Sequence, residues 1–207
     1  MTYELFAAPA SGSAVIEAML DLAGTPFRIV DVIPWQQGAD LARLRSVNPL
    51  CQVPTLILPD GTVLTESAAM VLHLAEQAPN TRLVPMPGAP SRTAFLRWLM
   101  FLVANIYPTF TYSDVPSRLV ADPDRQEEVR TRLSEYRKHL WQIVADNVAS
   151  SWFLETGFSV LDLYVAVMTR WEPRRQWFSE RCPKLYRIAE AVEAIPELES
   201  WKVRNFA

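Results

Sequence analysis

Strand-like apolar runs in this 207-residue chain are confined to the first 65 residues, and past a proline-rich break only helical periodicity remains. Tyr3–Ala8 and Phe27–Ile33 are short, apolar and aromatic or β-branched, as strands are. Thr55–Leu58 and Val63–Thr65 are joined by Pro59-Asp60-Gly61-Thr62, and an Asp-Gly turn between β-prone runs is a strong hairpin signal. Between the first two strands, Ala14, Val15, Ala18, Met19 and Leu22 recur at helical spacing, with Gly24 as a stop. Trp35–Val47 is loosely helical and ends at Asn48-Pro49, and Ala68–Gln77 is helical again. The order predicts an α/β unit over residues 1–78, and the prolines of 79–90 read as a linker. An all-α bundle is expected over 91–207. Its helices run from Ser91 to about Tyr107, where Pro108 breaks the first, then Pro123–Ala149, Ser159–Trp171 and Pro183–Ala194.

The bulk numbers narrow the partners. Half of the residues are apolar and 21% are charged, as in ordinary globular chains. A net charge of −3 gives no electrostatic footprint for nucleic acid or an acidic membrane surface. The two cysteines, Cys51 and Cys182, form neither a disulfide framework nor a metal cluster. With no basic and apolar leader and no run of ~18 apolar residues, the expectation is a cytoplasmic protein without metal or membrane span.

Two local features carry chemistry. Pro54, in Gln52-Val53-Pro54-Thr55-Leu56, reads as a turn proline before an edge strand. If its bond is cis, the Val53 N–H and C=O face outward to pair with an extended peptide-like ligand. Glu66-Ser67-Ala68-Ala69 stands where the last strand turns into a helix. Ser67 there reads as a cap, or the free N–H groups and dipole hold a carboxylate while Glu66 holds an ammonium group.

Asn48-Pro49-Leu50-Cys51-Gln52-Val53-Pro54-Thr55-Leu56, a hairpin, then Leu64-Thr65-Glu66-Ser67-Ala68-Ala69 resembles the glutathione-site signature of the glutathione transferases. Leu5-Phe6-Ala7-Ala8-Pro9 looks like that family's first strand and turn, and Phe158-Ser159-Val160-Leu161-Asp162 resembles its buried capping box. The resemblance implies a thioredoxin-like N-terminal domain followed by a C-terminal helical bundle, working as a homodimer. It also implies that Val53 pairs with the cysteinyl backbone of glutathione, that Glu66 and Ser67 hold its γ-glutamyl end, that Gln52 assists, and that Pro54 is cis. The implied activity is attack of the glutathione thiolate on a small hydrophobic electrophile. Glutathione-dependent disulfide or peroxide reduction, or a non-catalytic module, are the alternatives.

A free thiol titrates near ~8.5, so a transferase must supply a donor to the sulfur. The first turn, Ala8-Pro9-Ala10-Ser11-Gly12-Ser13, has no tyrosine, and the positions where the family's serine and bacterial cysteine fall lie near Ala10 and Gly12. Ser11, with Ser13 in reserve, is the expected donor unless both merely cap the helix. The electrophile pocket is expected on Phe101, Tyr107, Phe110, Thr111 and Tyr112, which otherwise form core or a dimer contact. Trp98, Trp141, Trp152 and Trp171 are assigned to core or interface, Cys51 to a buried apolar role, His73 to structure and His139 to the surface.

Overall fold

The computed structural model describes residues 2–33, 38–78, 81, 83–149 and 151–207, so Trp35, Pro79 and Asn80 lie outside it. The chain opens β1 (Tyr3–Ala7), α1 (Ser13–Leu22), β2 (Phe27–Asp31), α2 (Ala39–Val47), β3 (Thr55–Ile57), β4 (Val63–Leu64) and α3 (Ser67–Gln77). The four strands form one sheet in the order β2-β1-β3-β4. β1 runs parallel to β2 and antiparallel to β3, and the hairpin pairs Leu56 with Leu64. This is the expected thioredoxin-like arrangement.

Strand β1 is buried on both faces, and its one charged residue, the buried Glu4, is paired with Arg28 and Arg43. Successive side chains still point opposite ways. Leu5 and Ala7 enter the main core with α1 and α3, whereas Phe6 joins Val30, Val32, Leu41 and Leu44 beneath α2. Gly24, at φ 59, ends α1 in the left-handed conformation that glycine adopts without steric cost.

Among the described residues the elements that follow are helices: α4 (Arg92–Phe101), α5 (Tyr107–Asp114), α6 (Gln126–Asn147), α7 (Val160–Met168), α8 (Arg174–Arg181), α9 (Pro183–Glu193) and α10 (Glu199–Phe206). Pro108 does not break the first of them. A π-turn, Leu102–Ile106, joins α4 to α5, and the Tyr107 N–H reaches back to the Leu102 carbonyl. The wider turn takes the chain past the carbonyl a proline ring would strike in a regular helix. α8 and α10 are additions to the sequence expectation. α10 matters most, because the Trp201 indole N–H donates to the Ala14 carbonyl at 2.7 Å and Arg204 pairs with buried Glu17 at 3.0 Å.

α7 is buried along its whole length and packs on α1 and α9. A polar helix end so placed must satisfy its own N–H groups. Ser159 and Asp162 do this as the expected capping box, Asp162 Oδ2 accepting from the Ser159 N–H at 2.7 Å and Oδ1 from the Phe153 N–H at 2.7 Å. Phe158 lies edge-on to Trp152, ring centroids 5.1 Å apart.

Burial pushes the Asp162 carboxyl from 3.8 up to about 6, against the pull of those hydrogen bonds. Between these values the folded chain keeps a proton that the unfolded chain has released. The resulting stability is full below pH ~4 and is lost as pH rises through 6, by about 3 kcal/mol. Urea unfolding of the wild type and Asp162→Asn across pH 4–7 should show the wild type losing stability relative to the variant over that window.

Candidate functional site

The loop before β3 is built on Asn48, which is buried with its amide fully engaged. Asn48 Nδ2 donates to the Gln52 carbonyl at 3.2 Å and to Thr55 Oγ1 at 2.9 Å, while Oδ1 accepts from the Leu50 N–H at 3.0 Å. Thr55 Oγ1 donates to the same Gln52 carbonyl at 2.8 Å. These bonds hold the bend at Val53, whose bond to Pro54 is cis. Among the described residues neither the N–H nor the C=O of Val53 has a partner, and Gln52 is exposed beside it. Cys51 is half-buried, at φ 53, against the small core under α2.

Glu66 stands at φ 63, ψ 105, a conformation rare for a residue with a Cβ. It is exposed and leads into α3, whose start receives no side-chain cap. The first intrahelical bond is from the Met70 N–H to the Glu66 carbonyl, so Ser67, Ala68 and Ala69 present their N–H groups outward. Ser67 does not cap the helix. Its oxygen accepts from the Tyr164 hydroxyl on α7 at 2.8 Å, which leaves its own hydrogen free to donate. Tyr164 lies in a run of buried apolar residues and has no signal in the sequence.

The β1–α1 turn separates the two serines. Ser13 is fully buried, donates to the Ala8 carbonyl and accepts from the Ala8 N–H, each at 3.1 Å. That is a structural position: the hydroxyl's one hydrogen is already donated to Ala8, which does not fit the sulfur donor expected of Ser13. Ser11 is half-buried, lies 2.8 Å from the Ser13 hydroxyl, and accepts from the Ser13 N–H at 3.2 Å. Ala10, at φ 58, is the residue of this turn in a left-handed conformation.

A cleft of about 1100 Å³ opens beside Ala10, Ser11 and Gly12. Of the residues expected to form the electrophile pocket, Tyr107, Phe110 and Thr111, one face of α5, line this cleft. Phe101 and Tyr112 do not. Phe101 stacks edge-on against Trp98 at 5.3 Å, and Tyr112 points to solvent a step further round the helix than Thr111. Trp171 is a cleft residue rather than core, lying edge-on to Tyr107 at 5.4 Å and to Phe110 at 5.0 Å.

The cleft wall is more polar than the aromatic stretch suggests. Arg137 is buried beneath it, donating from Nε to Thr109 Oγ1 at 2.8 Å and from Nη2 to Ser113 at 2.9 Å, and pairing with Glu172. Its guanidinium lies 3.8 Å from the Phe110 ring centre, and burial lowers its pKa. Arg130 and Arg174 face the same space as Asp114 and Glu127.

The model for the glutathione S-transferase N-terminal domain matches residues 13–77. An uncharacterized GST-like protein, YncG of Escherichia coli K12, is 36% identical over 204 residues, covering 98% of each chain. Among solved structures, a glutathione transferase homolog from Sulfitobacter with bound glutathione superposes with TM-score 0.85 at 21% identity, covering 100% of this chain and 99% of that one. A sphingomonad glutathione S-transferase complexed with glutathione gives TM-score 0.80 at 25% identity, covering 99% and 100% of the two chains.

Tyr164→Phe removes only the donor to Ser67. Because that bond joins a fully buried hydroxyl to a half-buried one, its loss should lower the unfolding free energy by about 1 kcal/mol, read from urea midpoints at constant slope. Unchanged stability would show that the bond does not form in solution.

Proposed function

We propose that this chain, which belongs to the glutathione S-transferase family, binds glutathione between Val53 and the start of α3 and directs its thiolate onto a small electrophile. Residues 1–78 act as the glutathione-binding domain and 91–207 as the helical domain carrying the acceptor cleft. The open, uncapped start of α3 carries this reading. A helix N-terminus with free N–H groups suits the γ-glutamyl carboxylate, and the Ser67 hydroxyl is oriented by Tyr164 to add a charge-assisted bond. Glu66 pairs with the ammonium group of the same headgroup, and the Val53 N–H and C=O pair with the cysteinyl backbone, with Gln52 alongside.

A tripeptide so laid places its sulfur at the Ala10–Gly12 turn, against the N-terminus of α1, whose dipole favours an anion. Ser11 is the nearest side-chain hydroxyl of that turn. The thiol proton leaves to water, and the sulfur lone pair forms the new S–C bond. The leaving group departs with its electron pair or, in an addition, the product takes up a proton. The reacting end of the electrophile rests on the aromatic floor of Tyr107, Phe110 and Trp171, and the charged rim admits a polar tail. The family resemblance supports a homodimer and a cytoplasmic setting, and sedimentation of the purified chain tests the former.

Glu66→Ala and Ser67→Ala should each weaken glutathione binding about tenfold or more, since a hydrogen bond to a charged group contributes about 1.5–3 kcal/mol. Isothermal titration at matched pH reads this directly. Undiminished affinity in both variants would refute the site.

A further inference from the structure

Beside the β1–α1 turn one hydroxyl lacks a partner among the described residues. The Tyr107 Oη is buried and makes no hydrogen bond among the described residues. Leaving such a group unpaired costs about 1–3 kcal/mol, so it calls for an explanation. The oxygen lies over Gly12, and a Cβ on residue 12 would come within 2.2 Å of it. Glycine is therefore the residue that fits there. Tyr107 fills, from α5, the space that a side chain on the α1 turn would take.

The turn itself has little to offer a sulfur. Ser13 is bonded to both polar groups of Ala8, and Ser11 is bonded to Ser13 through its hydroxyl and to the Ser13 N–H. Yet Tyr107, Ser11 and Gly12 border one cleft, at the N-terminus of α1. Resting on the reading of this corner as the place of the glutathione sulfur, we propose that the Tyr107 hydroxyl donates the hydrogen bond that stabilises the thiolate. The donor comes from the helical half of the molecule in place of a side chain on the first turn.

Trp171 lies edge-on to the Tyr107 ring, and its indole N–H reaches the Ala10 carbonyl at 2.7 Å, a solvent-exposed bond between residues far apart in sequence. Displacing that bond admits a sulfur between the turn and the indole and gives the hydroxyl its missing acceptor. Burial, with Tyr164 beside it, raises the Tyr107 pKa well above the ordinary 10, so the group enters the site protonated, as a donor. The thiol proton passes to water, and the tyrosine keeps its own.

Tyr107→Phe tests this, because it removes an oxygen that no group among the described residues uses. The free variant should melt at the wild-type temperature or above it, and calorimetry should give a near-normal glutathione affinity. The ultraviolet absorbance of bound thiolate, followed against pH, should show the wild-type complex titrating below ~8.5 and the variant about one unit higher. That is about tenfold less thiolate at pH values below both. Gly12→Ala, which pushes the hydroxyl away, should shift the titration the same way. Identical titration of wild type and Tyr107→Phe overturns the proposal while leaving the binding site intact. Loss of binding in the well-folded variant overturns it too, by assigning Tyr107 to affinity. A wild-type chain that binds no glutathione at millimolar concentration refutes the underlying site itself.

Discussion

The structure depends on one buried helix. α7 is enclosed along all nine of its residues, so its polar start must be satisfied from within the protein. The Ser159–Asp162 box does that, and the Val160 N–H donates to the Leu83 carbonyl at 2.9 Å, tying the helix to the segment that joins the two halves. α1 packs on α7, and the Tyr164 hydroxyl on α7 reaches the first residue of α3. The helical half thus holds α1 and the start of α3, the two helix N-termini proposed to face glutathione.

Backbone strain gathers round the same region. Ala10, Cys51, Glu66 and Arg174 are the described non-glycine residues at positive φ. The first three sit in the loops that enclose the proposed glutathione position, and Arg174 borders the cleft. Such conformations cost about 1–3 kcal/mol each and persist where the surroundings over-determine them. Here Asn48 braces the Cys51 loop, and α10 braces the first turn, the Asn205 side chain accepting from the Ala10 N–H at 3.3 Å. The Tyr107 hydroxyl, unpaired among the described residues, belongs to the same pattern, in which stability is given up beside the proposed site.

What the sequence disclosed was local. An Asp-Gly turn between apolar runs identifies the β3–β4 hairpin, and Ser159 with Asp162 identifies the start of α7, because each depends on neighbours a few residues away. Glu66 and Ser67 stand out for the same reason. The sequence hid whatever depends on distant partners. The Ser67–Tyr164 bond spans 97 residues, and Trp171 reaches across 161 to Ala10. Pro108 suggested a helix end because the rule assumes a regular helix, and the π-turn before it has no comparable signature. α10 escaped notice because its eight mostly polar residues owe their helix to Trp201 and Arg204 packing on α1.

The central claim is that one tripeptide bridges the Val53 bend, the start of α3 and the α1 turn. The most direct measurement is a crystal structure of the chain grown with glutathione. The account expects the γ-glutamyl carboxylate within hydrogen-bond distance of the Ser67 N–H and hydroxyl, the cysteinyl amide paired with Val53, and the sulfur beside Gly12 and Tyr107. Glutathione lying elsewhere, in the charged outer part of the cleft with the start of α3 left to solvent, would contradict it.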